Sequence, residues 1–122
     1  MKVKQIILST YAALFILFSI AGLVAPTMLS SVINFELQTP VSRTEFMATY
    51  GGLFLGLGLF MLYCVKNNTS TGLVCVLLTM GLMLISRTVG AFIFNTTDII
   101  QMIYIAGELF TTILITSLLY RK

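Results

Sequence analysis

Histidine is absent from the 122 residues. That absence excludes a Ser/His/Asp nucleophilic arrangement and removes the commonest ligand of transition-metal sites. Charge is nearly as scarce, with seven Lys and Arg and four Asp and Glu. The net charge of +3 is spread over the ends of apolar runs and not gathered into a basic face, so nucleic acid is not an expected partner. The two cysteines, Cys64 and Cys75, form no CxxC pair and read as buried apolar thiols. No metal site and no cofactor are expected, and the balance leans away from an enzyme.

Apolar residues make up most of the chain: 58% are hydrophobic and the mean hydropathy is +1.04, outside the range of a soluble domain. A hydrocarbon core roughly 30 Å thick needs about 20 apolar residues at about 1.5 Å of rise each. Four such runs are legible, at 6–25, 46–65, 72–94 and 99–120. The expected fold is an all-α, integral membrane four-transmembrane-helix bundle forming one domain over 1–122, with a periplasmic connector at 26–45. The first run exceeds the core of a signal peptide, and Pro26 follows the one plausible cleavage site, so it reads as a span.

Lys2, Lys4, Lys66, Arg121 and Lys122 fall on one side of a four-span chain, whereas Glu36, Arg43, Glu45 and Asp98 fall on the other. This bias predicts cytoplasmic N and C termini and a multi-pass protein of the inner membrane. In the connector, Ser42 followed by Glu45 has the spacing of a capping box. The preceding stretch from Thr27 to Leu37 mixes apolar and small polar residues, which suits a short surface helix acting as a lid. Lys66 to Gly72 and Asn95 to Asp98 carry turn chemistry. The sequons beginning at Asn67, Asn68 and Asn95 are given no function.

A few residues do not belong in lipid. Arg87 lies seven residues from the end of the third run, roughly 10 Å inside it, and Glu108 about nine residues into the fourth, roughly 13 Å deep. An ionised side chain at a helix centre costs about 2.5–3.5 kcal/mol even on lenient insertion scales, so the two are expected to pair. Gln101, Tyr104, Glu108, Thr111 and Thr112 share an arc of about 100° on the fourth run, a stripe unsuited to lipid. From the second run, Glu45 and Tyr50 enter at the same end, on different faces. Gly52 and Gly56, four apart, are spaced for close helix contact, within the chain or in a dimer, or leave room for a ligand against bare backbone.

These residues carry a resemblance. The stretch PTMLSSVINFELQTPVSRTEFMATYGGLFLGLGLFML, with SRTVGAF and a late AGELF, resembles a family of small bacterial four-span membrane proteins of uncharacterised function, itself loosely similar to DoxX-like four-helix proteins. The family pattern falls here on Pro26, Glu45, Tyr50, Gly51, Gly52, Gly56, Gly58, Arg87, Gly90 and Glu108. Phe46-Met47 departs from it, since a basic residue is expected there, and Arg43 stands on the other side of the acid. The resemblance implies the fold and these positions, with Gly51, Gly52, Gly56 and Gly90 as packing sites, but no reaction. Small multidrug exporters need a Glu in the first span, which has no charge here. Fluoride channels need a polar Asn and Phe track that is not apparent.

Three functions remain open. The first is binding of a lipid-like or small amphipathic ligand in a polar pocket of the outer half, with Arg87 holding an anionic head, Glu108 orienting Arg87, Tyr50 and Tyr104 donating hydrogen bonds, and Glu45 and Gln101 nearby. The second is an accessory or assembly subunit on a larger membrane protein, or a homo-oligomer. The third is a proton-coupled transporter or channel using Glu108. Membrane lipids are partners in every case.

Overall fold

In a computed structural model, which describes residues 2–96 and 98–121, the chain is all-α, with no strand among the described residues. Lys122 of the basic ends and Thr97 of the last turn lie outside the described residues. Four helices are long and apolar enough to cross a membrane: Lys2–Val24, Pro40–Asn67, Thr69–Phe94 and Ile99–Tyr120. The chain divides into two compact units, Met1–Thr69 and Ser70–Lys122.

The first unit is built on α1 (Lys2–Val24), which buries Leu8, Ala12, Phe15, Ser19 and Gly22, positions three or four apart on one face. Against this face lies the second span, made of α3 (Pro40–Phe46), a π-helical segment (Met47–Leu53) and α4 (Phe54–Asn67). In lipid, close packing takes the place of the hydrophobic drive, so glycine sets how near the helices come. A Cβ on Gly58 would lie 3.2 Å from the Ala12 carbonyl oxygen, and one on Gly22 would lie 3.0 Å from the Tyr50 carbonyl carbon and oxygen.

The second span starts six residues before the expected Phe46 because its cap lies upstream. Thr39 caps the helix: its Oγ1 accepts from the Ser42 N–H, and the Ser42 Oγ accepts from the Thr39 N–H, both at 3.0 Å. This corrects the expected box at Ser42 and Glu45. Pro40 explains the shift, since its fixed φ and missing N–H suit the first helical position. In the connector, α2 (Pro26–Val32) forms as a short helix, packing Leu29 and Ser30 and contacting α1 and α3. It ends with Asn34 in the left-handed region, where the Phe35 N–H bonds the Ser30 carbonyl at 2.7 Å, the pattern of a Schellman motif.

The π-helical segment is not visible in the sequence. At its end the Phe54 N–H reaches the carbonyl of Thr49, five residues back. Tyr50 stands in this segment among aromatic rings, with centroids 4.5 Å from Phe46, 5.4 Å from Phe54 and 6.1 Å from Phe18. Phe35 extends the row onto Phe46 at 5.7 Å. The bare Gly22 backbone accommodates the segment from the α1 side.

The turn expected over Lys66 to Gly72 shrinks to Asn68, because helix resumes at Thr69. The carbonyls at the end of α4 find local donors: Asn67 Nδ2 bonds the Tyr63 carbonyl at 2.8 Å, and the Asn68 N–H bonds that of Cys64 at 2.9 Å. Neither Cys64 nor Cys75 is in a disulfide.

The second unit is a hairpin of α5 (Thr69–Phe94) and α6 (Ile99–Tyr120). Asn95 closes α5 in the left-handed region, and the Thr96 N–H bonds the Ala91 carbonyl at 3.1 Å, repeating the Schellman pattern. Asp98 opens α6 by accepting from the Ile100 N–H at 3.3 Å. The two helices make few close backbone approaches, and Gly81, Gly90 and Gly107 have open space where a Cβ would stand. Long side chains therefore bridge the hairpin.

Candidate functional site

Side chains from both helices of this hairpin meet around Arg87. Helical spacing puts Gln101, Tyr104 and Glu108 on one stripe of α6, and all three turn to the guanidinium. Arg87 Nε donates to Glu108 Oε1 at 3.0 Å and Oε2 at 3.2 Å, while Nη2 donates to Oε1 at 2.9 Å. Oε1 thus accepts from both Nε and Nη2, and Oε2 stays within reach of Nε, so the carboxylate sits on the Nε and Nη2 edge in charge-assisted hydrogen bonds. Nη1 donates to Gln101 Oε1 at 3.1 Å, and the guanidinium carbon sits 5.0 Å from the Tyr104 ring centre, a cation–π distance.

Glu108 is buried, its side chain only 7% exposed, whereas that of Arg87 keeps 23%. The asymmetry follows from length: the short carboxylate must be met inside, and the arginine stem carries its charge across to it. Neighbouring hydroxyls stay within their own helices, Thr88 on the Leu84 carbonyl at 2.7 Å and Thr112 on that of Glu108 at 2.8 Å.

A guanidinium carries five N–H bonds. Nε uses its one, and Nη1 and Nη2 use one each, so five less three leaves two, one on each terminal nitrogen. Arg87 also lines an open groove of about 420 Å³ together with Met83, Ser86, Gly90, Phe94, Thr96 and Gln101. Gly90 keeps this groove open, because a Cβ there would meet nothing within 4 Å. The arrangement can donate two further hydrogen bonds beside an apolar wall. Among the described residues no three His, Cys, Asp or Glu side chains gather as a metal would require.

The other residues singled out from the sequence belong to the first unit or to its glycine-bearing span. Tyr50 belongs to the aromatic row of the first unit, and Glu45 and Arg43 are exposed there without pairing to each other. Gly51 packs against the Leu23 side chain, whereas Gly52 and Gly56 have no atom within 4 Å of a Cβ. Sequence reasoning overlooked the groove wall, although Met83, Arg87, Gly90 and Phe94 recur at helical spacing and Ser86 adjoins them. It also overlooked Gly22, a single glycine with no local signal, and the row of rings.

Residues 3–119 match DUF4345, a domain of unknown function, and the chain belongs to that family. No curated protein and no solved structure matches it.

Proposed function

We propose that this DUF4345 protein binds a small amphipathic, lipid-like molecule in the α5–α6 groove, with the ligand head accepting hydrogen bonds from Arg87. The observation that carries the reading is the pair of guanidinium N–H bonds left over beside a groove with an apolar wall. Glu108, Gln101 and Tyr104 act as positioning residues, fixing the guanidinium so that little freedom is lost on binding. Met83, Ala91 and Phe94 offer the surface for an acyl or similar chain. The basic chain ends support an inner-membrane protein with cytoplasmic termini, which puts the groove in the outer half. Likeness to DoxX-like proteins supports the four-span architecture alone.

Gly90→Leu tests the reading, since it fills the groove without meeting another atom at Cβ. Protein purified in mild detergent should retain an amphiphile by native mass spectrometry. The variant should lose at least roughly 10-fold of it, a difference of about 1.4 kcal/mol, with an unchanged melting profile. Equal retention by the variant would sink the proposal.

The bare Gly52 and Gly56 favour a second reading, a subunit packing this face on another copy or on a larger membrane protein. Native masses should then show an assembly that Gly52→Leu with Gly56→Leu dissolves. A wild-type protein that is monomeric in native membranes by crosslinking ends this reading.

A further inference from the structure

The close pairing of Arg87 with Glu108 sets which head group the groove selects, an inference that rests on the binding role just proposed. We infer that the head is an uncharged hydrogen-bond acceptor, such as an ester or quinone carbonyl, and not the anion that a lone arginine would favour.

The reason is the charge already present. Glu108 contacts the guanidinium at 2.9, 3.0 and 3.2 Å and is buried, so water screens it poorly. Arg87 and Glu108 together carry no net charge. An acceptor on the remaining N–H bonds of Nη1 and Nη2 would stand ~4 Å from the guanidinium carbon and ~7–8 Å from the carboxylate, so by the inverse-distance law repulsion cancels about half of an anion's attraction. The cost of taking an anion out of water is not reduced in proportion. Gln101 adds its carbonyl oxygen at 3.1 Å from Nη1, which further disfavours a negative head.

A neutral carbonyl pays far less for desolvation and still has donors left on Nη1 and Nη2. The rest of the groove agrees with this chemistry. Ser86 and Thr96 bring hydroxyls that can donate to a second oxygen, and the wall of Met83, Ala91 and Phe94 is uncharged. Among the described residues, the groove includes no cation besides Arg87. A phosphate monoester or a free carboxylate would therefore have a single, already neutralised counter-ion.

The test uses the full-length protein in nanodiscs of zwitterionic lipid, challenged separately with diacylglycerol, a short-chain quinone, phosphatidic acid and a free fatty acid. Wild type should bind one of the two neutral probes at least ~10-fold more tightly than either anion, and that preference should hold as salt is raised from ~50 to ~500 mM. Which neutral probe wins separates the ester from the quinone source. Glu108→Gln keeps an acceptor for Arg87 but frees its charge, so the preference should swing toward the anions by at least ~10-fold.

Wild-type preference for either anion overturns the inference while leaving the binding role intact. A folded Glu108→Gln protein with wild-type selectivity also overturns it. Binding of none of the four probes by wild type overturns the binding role and the inference together. Should Glu108→Gln fail to fold, the wild-type ranking and its salt response still decide the question.

Discussion

Arg87→Leu is expected to lower stability by about 3–5 kcal/mol, the cost of leaving one member of a buried ion pair without its partner. Glu108 is the member left behind, 7% exposed and held by three contacts that all come from Arg87. Its side chain is too short to escape along α6, about 13 Å from the helix start. Glu108→Leu should cost somewhat less, because a long arginine stem can turn its charge toward the α5 terminus roughly 10 Å away. The double variant, Arg87→Leu with Glu108→Leu, should recover most of either loss, since a pair of matched apolar residues avoids desolvating two charges. Unfolding titrations of the four proteins in one detergent measure the coupling. Simple additivity of the two single losses would show that the contact contributes nothing as a pair.

Gly22→Ala should destabilise the first unit relative to Gly56→Ala by about 1–3 kcal/mol, the usual cost of overpacking. Both changes gain the same helix propensity, of order 1 kcal/mol, so the difference isolates packing. At Gly22 the new methyl would stand 3.0 Å from the carbonyl carbon and oxygen of Tyr50, backbone atoms that cannot swing aside. At Gly56 it would meet nothing within 4 Å. Melting curves compared under identical conditions check the ranking, and equal melting temperatures would contradict the close approach of α1 to the π-helical segment.

The four spans were legible because apolar length alone specifies them, and the Arg87 partnership because two charges in lipid have few alternatives. The stripe of Gln101, Tyr104 and Glu108 was equally readable, since α6 is regular throughout. Less could be read from the second span. Its start depended on whether Thr39 or Ser42 supplied the cap, and both fit the local rules until Pro40 is placed. The glycines of that span are chemically alike in the sequence. Whether each meets a neighbour depends on the position of α1, so Gly51 and Gly58 are packed while Gly52 and Gly56 are bare. The groove escaped notice because it is made partly by what two glycine-bearing helices leave unfilled.

The π-helical segment also changes how residues on either side of it are indexed, Glu45 before it and Tyr50 within it. A regular helix turns about 100° per residue, and a stretch bonded five residues back holds an additional residue per turn. Positions before Met47 and after Leu53 therefore belong to two different angular scales, offset by roughly one residue. Met47–Leu53 acts as a gear change in the middle of a spanning rod. The entry segment around Arg43 and Glu45 can be indexed to its surroundings independently of Gly58, Met61 and Cys64, whose register is locked to α1.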